Sequence, residues 1–426
     1  MSTLNGKYRE FSLDNGLLVS LKRIPTNTIA SRLSVNHGTV HELKGEEGFS
    51  HLFEHMLLKD GAHDHSVEET NVIRNSLGEY KPITGFDRTS FPAGIIPSDL
   101  ELMLDYLSGI VFNPRFDKGI FSAEKAAVIR ERADNRSKPY RKDNVDFNEA
   151  LYGSHPFNYD IFGKATIIRN AKIDDLRNFH SRGFHAGNAH LILAGPLPTN
   201  VESLIRKYFD NIPAGEPNKF DFPPLNPLQN RVVLERMAKD LLDTEEPEES
   251  SAFLNLGLVV PPYNSEHSNA MAMIGQVLIS YSECRLFNRL RGQDGNIYDI
   301  DGGYRGTYNK GVIEIFGKVK ALNVDHVVDS IFSEFQRLRH EEVPESELRM
   351  ITKFHDYRIR AELETSQGHV KAIGRKVATG LTPSMWLDRM RAVTPEQIKQ
   401  AAMLYFPESR KDGKYVLLIR NPLLGQ

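Results

Sequence analysis

His51-Leu52-Phe53-Glu54-His55 is the stretch of this chain whose residue types and spacing carry chemistry most directly. Residues four apart share a face of a helix, so His51 and His55 project side by side and can grip one cation. Glu54 follows His51 by three positions, within reach of a water on such a cation. The order is His-x-x-Glu-His, the zinc-hydrolase pattern with its glutamate moved beside the second histidine. Two neutral imidazoles and one carboxylate would leave a fourth zinc position open for water, as metal-assisted hydrolysis requires. The bland alternative is a helix that happens to carry two histidines, since the chain has 15 of them.

A third ligand has to come from elsewhere. The single cysteine, Cys284, excludes a cysteine-rich zinc site, so carboxylates and histidines must supply the ligands. The helical pattern at 117–135 offers Glu124 and Glu131, seven apart and so nearly on one face. Glu131 follows the apolar run Ala126-Ala127-Val128-Ile129, which should bury that helix. Spacing alone does not choose between the two, and a helix glutamate is more often simply solvated. The loop His63-Asp64-His65 also carries ligand types but reads as solvated.

These residues need a scaffold. At 426 residues the chain is too long for one ordinary core, and two domains are expected. Hydrophobic content of 40%, charged content of 26% and a net charge of -3 suit a globular protein. They give no reason to expect nucleic acid as a partner, and no stretch is long and apolar enough to span a membrane. The first ten residues have neither the apolar core of a secretory signal nor the character of a transit peptide. With one cysteine, this leads us to expect a reducing, cytoplasmic location.

Phe11 to Leu21 reads as a hairpin around Asn15-Gly16. Helices are expected at 49–59, 66–77, 98–112, 117–135 and 173–182, and strands at 80–84, 90–96 and 189–194. Periodicity lapses in a proline-rich stretch, so the domains are expected at 1–215 and 231–426, joined by a linker at 216–230. The second half repeats the order of the first: strands near 231–238 and 251–260, helices near 266–280 and 283–291, and strands at 297–304 and 311–318. Helices at 323–339 and 344–363, a helix after Thr394 and a strand at 415–420 follow. The expected fold class is α+β: two similar domains, each an antiparallel-rich sheet with helices packed on one face.

The chain resembles the pitrilysin, or inverzincin, family of metallopeptidases, specifically its half-length branch of mitochondrial processing peptidase and bacterial homologues. The resemblance rests on Phe11 to Val19, Gly48 to Met56, Glu124-Lys-Ala-Ala-Val-Ile-Arg-Glu131, Phe162 to Gly195, Cys284 to Tyr298 and Ala392 to Glu396. It implies that Glu131 is the third metal ligand, that Glu124 orients a ligand from behind, and that Glu54 activates a zinc-bound water. It further implies one zinc ion per chain, and a role for Arg291 and Tyr298 in binding the peptide and stabilising the oxyanion. The strand around Lys81, Pro82, Ile83 and Thr84 matches the one to which relatives add substrate. Lys81-Pro82 stands where they usually carry Asn-Ala.

The activity so implied is zinc-dependent endopeptidase action on peptides or unfolded polypeptides inside a clam-shell chamber. The chamber implies two chains, as a homodimer or as a heterodimer with a related inactive subunit. Two other readings remain: a non-catalytic core or partner subunit of a peptidase-like complex, and a dedicated protease that matures one peptide precursor.

Overall fold

The computed structural model describes residues 8–62, 64–219, 223–280, 284–293, 297–307, 309–411 and 413–425. They form two sheets with helices around each. The strands of the first sheet are β1 (Arg9–Ser12), β2 (Leu18–Arg23), β3 (Ile29–Val35), β4 (Glu79–Tyr80), β5 (Ile83–Thr84), β6 (Thr89–Ile95) and β7 (Ala189–Gly195). Its order is β1-β2-β7-β3-β6-β4, with β5 also pairing with β6. Those of the second are β8 (Val232–Met237), β9 (Ser251–Val259), β10 (Ile297–Gly306), β11 (Gly311–Lys320) and β12 (Val416–Asn421), in the order β10-β11-β9-β12-β8.

The helices of the first half are α1 (Phe49–Lys59), α2 (Val67–Ser76), α3 (Leu100–Phe112), α4 (Lys118–Ser137), α5 (Pro139–Tyr152), α6 (Ala165–Asn170), α7 (Ile173–Gly183) and α8 (Val201–Phe209). In the second half they are α9 (Ser268–Gly275), α10 (Arg285–Phe287), α11 (Val324–His340), α12 (Glu345–Glu362), α13 (Ser366–Thr379), α14 (Pro383–Arg391) and α15 (Pro395–Tyr405). Among the described residues, no helix is long and apolar enough to cross a membrane.

The repetition suspected from the sequence is present in the topology. β2 and β7 pair in parallel, as do β8 and β12, while β3 and β9 each lie antiparallel to the second member of that pair. Strand for strand, the first sheet from β2 to β7 matches the second from β8 to β12. Period-two alternation gives each sheet two apolar faces. In the first, Val19, Leu33, Phe91 and Leu191 join the main core with helices α1, α3 and α7, whereas Ala30, Ile192 and Ala194 face the other way.

Each second face is covered by one helix beyond the expected layer. Val370 and Ile373 of α13 pack on the first sheet, and Phe147 and Leu151 of α5 pack on Val312, Val416 and Leu418 of the second. Each covering helix comes from the opposite half of the chain. The compact units are therefore Met1–Asn135, Tyr159–Phe220 and Ile359–Pro383 on one side, and Arg136–Asn158, Asp221–Arg358 and Ser384–Gln426 on the other. The proline-rich stretch separates the two sheets, but a single cut there would strip a covering helix from both.

The expected strand at 80–84 is broken. β4 and β5 both pair with β6, and Lys81-Pro82 between them joins no ladder, as a residue without an N–H dictates. The expected helices near 266–280 and 283–291 begin as α-helix but widen into π-type turns at 276–280 and 288–293.

Candidate metal centre

Helix α1 forms where Gly48 turns the chain, at φ +102°. Gly48 has no side chain to cap the first turn, and Glu42 does so from upstream: its carboxylate accepts from the amides of Gly48 (2.9 Å) and Ser50 (2.8 Å). Burial pushes the Glu42 carboxyl up to about 7 against the pull of these two hydrogen bonds. Phe49, Leu52, Phe53, Met56 and Leu57 sink into the core. Their burial fixes the rotation of the helix and turns His51, Glu54 and His55 to one side.

Helix α4 is locked in the same way. Phe121 and Val128 are its buried anchors, and Glu124 and Glu131 lie on their face, three residues beyond each. Of the apolar run 126–129 only Val128 is fully buried. The carboxylates meet the α1 histidines edge on. His55 Nε2 stands 3.1 Å and His51 Nε2 3.8 Å from Glu131 Oε2, and His55 Nδ1 stands 3.0 Å from Glu124 Oε2. The donor atoms of His51, His55 and Glu131 all lie within 4.8 Å of one another. Phe162 presses its ring edge on to His51, with centroids 5.1 Å apart.

This donor set fits a cation. A neutral imidazole carries one N–H, yet His55 faces a carboxylate with each nitrogen. If Nδ1 donates to Glu124, the lone pair of Nε2 is aimed at Glu131, an arrangement that a metal ion between them relieves. Burial, and then the neighbouring His55, pull the His51 imidazole down to about 4, so it too presents a lone pair at neutral pH. Tetrahedral zinc with bonds of about 2.1 Å places its donors roughly 3.4 Å apart, in the range seen here.

Glu54 has a different attachment. The amide of Thr84 donates to its Oε2 at 2.9 Å, and the Thr84 hydroxyl donates to the same oxygen. Burial raises the Glu54 carboxyl above its ordinary value, and the two Thr84 hydrogen bonds oppose this. Strand β5 is thus tied to α1 through its buried residue, while Lys81 and Ile83 point outward. Among the described residues β5 has no strand on its other edge.

The structure brings His51, Glu54, His55, Glu124, Glu131 and Thr84 together in one unit. Arg291 and Tyr298 belong to the other, where the Arg291 guanidinium donates to the Tyr298 carbonyl at 2.8 Å and both side chains are exposed. His63 lies outside the described residues, and His65 is engaged with Asp105 at 2.9 Å. Sequence reasoning missed Glu42 and Phe162. Neither stands at a spacing that would have flagged it, because each reaches the site through the fold.

Comparison with known families decides the relationship. Residues 18–163 match the model described as Insulinase (Peptidase family M16), and residues 170–353 match the one described as Peptidase M16 inactive domain. The chain belongs to the M16 peptidase family. An uncharacterized zinc protease of Rickettsia felis is 24% identical over 79% of each chain. Among solved structures, a protease from Helicobacter pylori shares the fold with a TM-score of 0.83 and 18% identity, covering 98% of this M16 chain and all of the other. A Pseudomonas fluorescens structure titled as a peptidase M16 inactive domain gives a TM-score of 0.82 and 19% identity, with 99% of both chains covered.

Proposed function

We propose that this chain is a zinc-dependent endopeptidase in which His51, His55 and Glu131 hold the ion and Glu54 is the general base. The observation that carries this reading is the position of His55, whose Nδ1 meets Glu124 while its Nε2 meets Glu131 beside His51. Zinc in such a setting supplies Lewis acidity, polarising a scissile carbonyl and making water acidic near pH 7. Glu124 fixes the His55 tautomer. Thr84 holds Oε2 of Glu54 and leaves Oε1 to take a proton and pass it to the leaving amine. A carboxylate whose proton affinity is raised by burial is a stronger base toward water and keeps the proton it takes until the leaving amine accepts it.

A peptide would add along the open edge of β5, its backbone bonded to the strand. Lys81, exposed two residues before β5, favours acidic side chains near the scissile bond. Arg291 and Tyr298 are the proposed partners of the peptide and its oxyanion, contributed within a homodimer. A non-catalytic partner subunit needs no ligand set or tethered base, and both are present here. The test is cleavage of a mixed set of quenched fluorescent peptides by wild type and His55→Ala: turnover in the first alone supports the assignment, and equal turnover in both refutes it. Lys81→Asn should relax the preference for acidic peptides.

A further inference from the structure

The second face of the first sheet carries a charge that the proposed peptidase chemistry does not use. Beyond the apolar contact of Val370 and Ile373, Gly374 of helix α13 lines a cavity of about 150 Å³ against the sheet. Arg32, from the middle of β3, reaches into it, with Ser34, Ser90, His190 and Arg88 around the wall. A guanidinium is not deprotonated in a protein, so Arg32 keeps its charge wherever it stands.

That charge lacks a counterion. Arg32 is half-buried, its Nε is buried without a hydrogen-bond partner, and no carboxylate pairs with it among the described residues. Two further guanidinium groups, Arg88 and Arg375, act on it as like charges. Each of those has its own carboxylate: Arg88 pairs with Asp87 at 2.6 Å, and Arg375 pairs with Glu362. Leaving a desolvated cation unpaired is costly, so the arrangement calls for an anion.

The cavity supplies the remaining parts. A Cβ at position 374 would sit 3.3 Å from Arg32 Nη1, so glycine there keeps the space over the guanidinium open. The Ser34 and Ser90 hydroxyls stand 3.0 Å apart, and since only one donates to the other, one proton remains for a ligand. His190 lies 2.9 Å from the Ser20 hydroxyl, which itself donates to Glu10, so the one N–H of the ring is spent there and His190 lines the wall without donating to a ligand.

We infer that this cavity binds a small oxyanion, held by the Arg32 guanidinium as a two-pronged donor with the Ser34–Ser90 pair completing the cradle. Phosphate and carboxylate groups share that chemistry. The site is made by α13, the sheet and the turns beside it, and contains none of the metal-centre residues.

The test is thermal unfolding of wild type, Arg32→Gln and Arg32→Lys in chloride, inorganic phosphate and acetate at equal ionic strength. A ligand that binds only the folded chain raises the midpoint in proportion to ln(1 + [L]/Kd), a shift of several degrees once sites are well filled. Wild type should show that rise. Arg32→Gln should start higher in chloride, having lost an unpaired cation, and stay flat. Arg32→Lys keeps the charge without the fork and should need at least tenfold more anion for the same rise. A response to phosphate alone identifies a tetrahedral anion, and one to acetate alone a carboxylate such as a chain terminus; either supports the site. If Arg32→Gln does not fold, wild type against Arg32→Lys decides. No anion response in wild type, or the same response in wild type and the variants, overturns the inference.

Discussion

The amide and the hydroxyl of Thr84 both donate to one oxygen of Glu54, which ties the edge strand beside the centre to the helix that carries its histidines. The same residue therefore sets the orientation of the base and the position of the strand along which a peptide would add. Thr84→Val keeps the amide bond and removes the hydroxyl. It should lower kcat by about 10- to 100-fold with metal content unchanged, in line with other groups that orient a first ligand or base. Thr84→Ser should restore most of the loss. Steady-state kinetics beside a zinc assay checks this, and a variant as active as wild type would remove Thr84 from the account.

Among the described residues of the centre Glu124 meets His55, so its effect should be read in affinity. Glu124→Gln keeps an acceptor but removes the charge that favours a donating Nδ1. Zinc should bind about 10- to 100-fold more weakly, as measured by competition with a chelator of known affinity.

Glu42 takes the part of a cap from six and eight residues upstream of the amides it satisfies. Glu42→Ala leaves both donors unpaired in a buried place and should cost about 1–2 kcal/mol of stability, seen as a lower urea midpoint. Zinc affinity should fall with it, because the same turn positions His51.

Stability should also fall in mild acid. Burial depresses His37 to about 3 and His190 to about 4, so both are neutral in the folded chain but protonate near 6.5 when it unfolds. Between about pH 6.5 and 4 the unfolded state binds more protons, and stability drops by on the order of 1 kcal/mol per pH unit for each such histidine. Above that window their contribution is fully present. Glu42, raised to about 7, works in the opposite sense, protonating in the fold while its unfolded form stays charged. Urea unfolding at pH 7 and pH 5 should therefore show a net loss at pH 5, and Glu42→Gln should steepen it.

Much of this was legible in the sequence because the signals were local. Helix α1 at Phe49–Lys59 follows from the apolar spacing of Phe49, Leu52, Phe53 and Met56, and the His-x-x-Glu-His run follows from that helix. The choice of Glu131 over Glu124 was not local, since both stand on one face of α4, and it came from the family resemblance. What escaped was set by tertiary contact. The exchange of α5 and α13 between the halves of the chain leaves no mark in periodicity, because a helix that covers the far face of a sheet looks like any amphipathic helix. Glu42, Phe162 and the unpaired Arg32 show their parts only once distant segments meet.

The most direct test of the central assignment is to measure zinc content and peptide hydrolysis together in wild type, Glu54→Gln and chelator-treated protein. The account predicts about one zinc per chain in wild type and in Glu54→Gln, hydrolysis by wild type alone, and recovery of the chelated protein when zinc is returned. Wild type that binds no zinc, or a Glu54→Gln variant that hydrolyses peptides as fast as wild type, would contradict it.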